Sequence, residues 1–109
     1  MGKRLVPVPT RETPTSLARA MGPVVYAATS RDGLIKIGFT TNLSRRLLPY
    51  GGWKSLLAAL PGTYEQEQQI HADLAEHVAH GREFYHRHPD VLAVVNDMRA
   101  RMGAEALAS

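Results

Sequence analysis

The sequence predicts one small domain of the α+β class, and three observations lead there. Two runs rich in β-branched residues, "VVYAATS" and "LIKIGF", flank the turn-forming "RDG" at 31–33. Thr63 followed three residues later by Gln66 is the signature of a capping box and opens a helical stretch. Pro89 stands at the start of a last amphipathic segment, where a missing N–H costs nothing. A chain of 109 residues is the length of a single domain with one modest core.

The elements follow in order. Residues 1–22 carry Pro7, Pro9 and Pro14 with Lys3, Arg4, Arg11 and Arg19, which reads as an extended basic arm with a short helical turn after Thr15 or Ser16. The domain proper is expected over 23–88, with a C-terminal helix over 89–109 packing on it. In the hairpin, a three-residue loop with Gly33 in the left-handed conformation sets Ser30 opposite Leu34, Ala28 opposite Lys36 and Tyr26 opposite Gly38. Alternation then puts Val25, Ala27, Ile35, Ile37 and Phe39 on a core face. Tyr26 and Lys36 become diagonal neighbours on the other face, with Gly38 leaving space beside the tyrosine ring. One residue more or less in the loop would separate them.

After the hairpin, Thr41 or Asn42 caps a short helix, "LSRRLL", that Pro49 ends. Periodicity alone leaves "WKSLLAAL" open between helix and strand; the flanking Gly51-Gly52 and Pro61-Gly62 favour a strand. The capped helix is expected over 64–80, its stripe running Ile70, Leu74, Val78 with Glu67 and His71 in line. "EFY" at 83–85 is a short extended piece.

Charge and composition narrow the function classes. A net charge of +3 and a pI near 9.6 favour a polyanionic partner. With no cysteine, disulfides and thiolate metal sites are excluded. No apolar run of membrane-spanning length and no signal-peptide pattern occurs, so a cytoplasmic location is expected. His77 and His80 are one helical turn apart while His71 faces elsewhere, and His86 and His88 read as loop residues, so the five histidines form no convincing ligand set.

Tyr26 closing "VVY", "KIG" at 36–38, Arg46 eight residues after Gly38 and Glu67 on a later helix together resemble the GIY-YIG nuclease family. More narrowly, "IKIGFTTNLSRRL", "EQQIH" and "EFY" are similar to its small phage-associated branch, with lysine in place of the second tyrosine of the name. The resemblance covers about residues 23–86. It implies a small three-stranded antiparallel sheet flanked by helices and Mg2+- or Mn2+-dependent hydrolysis of DNA phosphodiesters. It also implies Tyr26 as general base or orienter of the attacking water, Arg46 as clamp on the scissile phosphate and Glu67 as metal ligand. Tyr50 falls where the family often has a second tyrosine or histidine. Val24 replaces the first glycine of the name, and no secure counterpart of a late family asparagine is found, Asn96 falling in the terminal helix.

Residue chemistry agrees with those roles. Phosphoryl transfer needs positioning and charge neutralisation, and a guanidinium holds two phosphate oxygens at once. One carboxylate suits one magnesium that keeps several waters. A tyrosine of ordinary pKa, about 10, is a poor base at neutral pH, and the Lys36 ammonium is expected to stabilise its phenolate. His71 contacts phosphate or orients Glu67, and Lys36, Arg45, Arg46 and Lys54 are the expected DNA contacts. The alternatives are a catalytically silent DNA-binding module on the same fold and a basic interaction protein.

Overall fold

A computed structural model describes residues 22–108; the basic arm expected before them lies outside the described residues. Within them runs a five-stranded antiparallel sheet in the order β3-β1-β2-β5-β4, with three α-helices. The strands are β1 (Val24–Thr29), β2 (Ile35–Thr40), β3 (Leu56–Pro61), β4 (Val78–His80) and β5 (Phe84–Tyr85). The helices are α1 (Leu43–Arg46), α2 (Tyr64–Asp73) and α3 (Pro89–Arg101). The three strands expected from the sequence are β1, β2 and β3, and the sheet gains two more beyond β2.

The β1–β2 hairpin has the register expected from its loop: Tyr26 pairs with Gly38 and Ala28 with Lys36. Gly33 adopts φ 78°, and Ser30 N donates to Leu34 O at 2.9 Å to close the turn. Both faces of this hairpin are covered. Ala27, Ile35 and Ile37 pack with Tyr85, Val91 and Val95, while Tyr26 and Ala28 pack with Leu43 and Leu47 of the α1 region. Lys36 is buried too, so the expectation of a single core face is corrected: the opposite face holds a tyrosine and a lysine within the protein.

Gly38 is required at its position. A Cβ there would stand 2.7 Å from Tyr26 Oη and 2.9 Å from two ring carbons, so the tyrosine itself occupies the space that the glycine leaves. Gly38→Ala is therefore expected to cost about 2 kcal/mol by overpacking, a fall of about 10 °C in Tm for a domain of this size. A thermal melt superimposable on wild type would show that the ring yields without strain.

Three elements differ from the sequence expectation, one of them the C-terminal helix, which ends at Arg101 rather than at residue 109. The capping box forms, with Gln66 N donating to Thr63 Oγ1 at 3.2 Å and Thr63 N to Gln66 Oε1 at 2.9 Å. The helix it opens, however, ends at Asp73 rather than at residue 80. Residues 75–77 form one tight turn, and Val78 leaves the helical stripe to pair with Tyr85 across the β4–β5 hairpin. Gly81, at φ 60°, permits that reversal, and cross-strand pairing overrides a helical periodicity of only three apolar positions. In "WKSLLAAL" only the second half is strand; Gly51 and Gly52 at φ 99° and 79° wind residues 52–55 into a short 3-10 turn first. Among the described residues no helix is long and apolar enough to cross a membrane.

Candidate functional site

Each candidate side chain is delivered by a different local device. Asn42 rather than Thr41 caps α1, its Oδ1 accepting from Arg45 N at 3.2 Å, and the turn that follows leaves both Arg45 and Arg46 exposed. Pro49 belongs to a 3-10 turn, Leu48–Tyr50, which lays the Tyr50 ring 6.2 Å from that of Phe84. Glu67 sits in the first turn of α2 and His71 one helical turn later on the same side. Tyr26 is fully buried in β1.

Arg46, Glu67 and His71 border a cleft of about 320 Å³ together with Phe39, Arg82 and Glu83 among others, whereas Tyr26, fully buried, and Tyr50 are not among its lining residues. Arg46 also borders a neighbouring concavity of about 540 Å³ with Thr40, Asn42 and Arg45. Arg46 is thus shared by the two depressions, and its guanidinium can hold two oxygens of one anion. Lys54 is exposed in the turn before β3 and lines neither depression. Asn96 likewise stands apart from the cleft; its Oδ1 accepts from Leu107 N at 2.7 Å and secures the C-terminal tail.

The residues that sequence reasoning missed are Arg82, Glu83 and Tyr85, all on or next to β5. Glu83 pairs with the buried ammonium of Lys36, which also lies 5.2 Å from the centre of the Phe84 ring. Lys36 is thus engaged by a carboxylate, and the cation that acts on Tyr26 is Arg46. Burial raises the Tyr26 phenol above its ordinary value; Arg46 opposes that rise, while Tyr50 and Glu83 add to it. Tyr50 is also raised, by burial first and then by Glu83, with Arg46 again opposing. "EFY" was the available signal, but nothing in three residues indicates which strand they join.

On the far side of the cleft, His71 Nδ1 hydrogen-bonds the Tyr85 hydroxyl, and the two rings stack with centres 5.6 Å apart. Glu67 Oε1 accepts from Gln68 Nε2 at 2.7 Å, leaving Oε2 3.1 Å from His71 Nε2. Among the described residues, two buried side-chain polar atoms lack a hydrogen-bond partner, Tyr26 Oη and His71 Nε2. Such groups are uncommon in native proteins because each forfeits its hydration, and both belong to candidate site residues. The buried carboxylate of Glu67 beside an unpartnered nitrogen is a donor set that fits a divalent cation.

Burial, followed by Glu67 and Glu83, pushes the Tyr85 phenol up to about 12. A phenol raised on folding contributes stability that is complete below its unfolded value of about 10 and is lost as pH rises through the folded one. The urea midpoint should therefore fall between about pH 10 and 12, and less steeply in Tyr85→Phe. Equal slopes for both proteins would mean that Tyr85 ionises in the fold as freely as in the open chain.

A second cluster was not expected: His77, His88 and Asp90 bring their donor atoms within 4.8 Å of one another. His77 Nε2 lies 3.0 Å from Asp90 Oδ2. His88 is the N-cap of α3, however, and its Nδ1 lone pair accepts from Asp90 N at 3.0 Å. The two imidazoles stack with centres 3.8 Å apart, which keeps one ion from lying in both ring planes. The cluster reads as a clasp between the 75–77 turn and the start of α3.

The fold and cleft define a class in physical terms: a five-stranded antiparallel α+β domain with a guanidinium and a carboxylate–imidazole pair around one depression and a buried phenol on β1 outside its lining. No protein-family model, no curated protein and no solved structure matches this chain.

Proposed function

We propose that the chain is a metal-dependent DNA endonuclease that hydrolyses phosphodiester bonds at the Arg46–Glu67 cleft. The observation that carries the reading is the meeting of Arg46, Glu67 and His71 at one depression, with the two unpartnered buried atoms Tyr26 Oη and His71 Nε2 both on candidate site residues. A DNA-binding surface alone has no use for a buried carboxylate in its phosphate site, since that charge repels the ligand.

In this reading Arg46 grips two oxygens of the scissile phosphate and neutralises the charge that grows on them. Tyr26 Oη is buried and absent from the lining of the cleft, so it would take the proton of the attacking water only once ligand binding opens it to the cleft; the new P–O bond then forms, the bond to the sugar oxygen breaks and that oxygen takes a proton from solvent. Arg46 favours the phenolate needed for that step against the opposing effect of burial. Glu67 would hold the divalent cation, which would supply charge neutralisation at the phosphate. Because the phenol is raised, turnover should climb with pH through the neutral range.

Purified protein incubated with supercoiled plasmid, with Mg2+, with Mn2+ and with chelator, tests the reading. Metal-dependent conversion to open circles is expected. Arg46→Ala should lower DNA binding and nicking about 100-fold in kcat/KM, and Arg45→Ala only a few-fold, because only Arg46 borders the cleft with Glu67. Equal losses would indicate a diffuse basic surface. Absence of nicking at every pH with DNA binding retained would favour a silent DNA-binding module, to which a phenol held protonated by burial would be no hindrance.

A further inference from the structure

The tautomer of His71 follows from its neighbours. The Tyr85 hydroxyl contacts two groups, His71 Nδ1 and the backbone carbonyl of Arg82, the latter at 3.2 Å. A carbonyl oxygen only accepts, and a phenol carries one proton. Tyr85 Oη therefore donates to Arg82 O and accepts from His71 Nδ1–H. With its proton on Nδ1, the neutral ring presents a lone pair at Nε2.

That lone pair is buried without a hydrogen-bond partner among the described residues and stands 3.1 Å from Glu67 Oε2, another acceptor. Two acceptors at this distance repel each other unless positive charge lies between them. A shared proton would need to lie near the N···O line, and no hydrogen bond forms along it despite the short separation. A metal ion needs no such alignment, because both donors aim at a third point. Ligands held at about 2.0–2.2 Å from one ion stand about 3 Å apart when adjacent. Spacing of four residues on one helix fixes the two donors side by side, and Tyr85 with the Arg82 carbonyl locks the ring.

We propose that His71 Nε2 and Glu67 Oε2 are adjacent ligands of a single divalent ion, and that the imidazole makes the site prefer Mn2+, Co2+ or Zn2+ over Mg2+. Imidazole nitrogen suits first-row transition ions, whereas Mg2+ favours oxygen ligands and its own waters. The inference rests on the assignment of Glu67 as metal anchor and goes beyond it in naming a second ligand and the class of ion. Tyr85 is then a positioning residue for His71.

Full-length protein titrated with Co2+, followed by visible absorption and calorimetry, tests this directly. One Co2+ per chain is expected. His71→Gln should weaken it about 100-fold or more and shift the absorption band, Tyr85→Phe should weaken it about 10-fold, and Mg2+ should compete only in large excess. A wild-type measurement independent of folding in the variants is broadening of histidine ring resonances by substoichiometric Mn2+. It should reach His71 before His77, His80, His86 or His88. Folded His71→Gln that binds Co2+ as wild type does, or broadening confined to His77 and His88, would overturn the proposal. Nicking with Mg2+ that is indifferent to His71→Gln would sink this inference and spare the nuclease reading. Co2+ bound through His71 without any nicking would do the reverse.

Discussion

Glu67→Gln is expected to lower metal-dependent nicking about 1000-fold while leaving the fold and DNA binding nearly unchanged. The glutamine is isosteric and still offers an amide oxygen to Gln68 Nε2, which now donates to Glu67 Oε1 at 2.7 Å. Loss of a negative charge from the first turn of α2 costs under about 1 kcal/mol against the helix dipole. What disappears is the anionic ligand, and no phosphate contact goes with it. Plasmid nicking, gel-shift binding and a thermal melt on the same preparation separate the three quantities. A variant that cleaves at the wild-type rate would reduce Glu67 to a helix-start residue whose charge complements the dipole.

The second large effect is on stability and is asymmetric across one ion pair. Lys36 is 3% exposed, while the Glu83 side chain that neutralises it is 45% exposed. Glu83→Gln leaves the buried ammonium an amide oxygen and the Phe84 ring but no counter-charge and should cost about 2 kcal/mol, a Tm loss of about 10 °C. Lys36→Met instead leaves a carboxylate that water can reach and keeps an apolar stem of similar length, so the cost should stay below about 1 kcal/mol. Lys36→Met/Glu83→Gln should regain most of what Glu83→Gln loses, and chemical denaturation of all four proteins measures the coupling. Equal costs for the two single variants would mean that the ammonium finds water after all. The pH–rate profile of Lys36→Met should keep the wild-type midpoint, since Arg46 is the cation that opposes the raising of the Tyr26 phenol.

These two predictions mark where sequence reasoning held and where it stopped. The diagonal placement of Tyr26 and Lys36 was legible because a three-residue loop with Gly33 dictates register, and register dictates face. Glu67 and His71 were legible as neighbours because both lie within the stretch that stays helical. The partner of Lys36 was not, because Glu83 is 47 residues away and reaches it through β5, a strand of two residues with no alternation to read. The same gap hid Tyr85 and made Lys36 look available to condition the tyrosine. The overextended helix has a related cause: Ile70, Leu74 and Val78 satisfy helical spacing, and only the pairing of Val78 with Tyr85 chooses strand.

The brevity of β5 also has a kinetic meaning. The β1–β2 hairpin closes a local loop and can form within microseconds, carrying Tyr26 with it. The β2–β5 pairing must close a far longer segment and rests on Ile35 with Tyr85 and Lys36 with Phe84. Its amides should exchange with solvent well before those of β1, by an opening of 78–86 that leaves the rest of the domain folded. Each such excursion would pull Glu83 from Lys36 and Tyr85 from His71 together. The cleft would then lose two supports in one local event, so a cofactor or nucleic-acid ligand that prefers the closed arrangement would slow hydrogen exchange in β5 more than anywhere else in the protein.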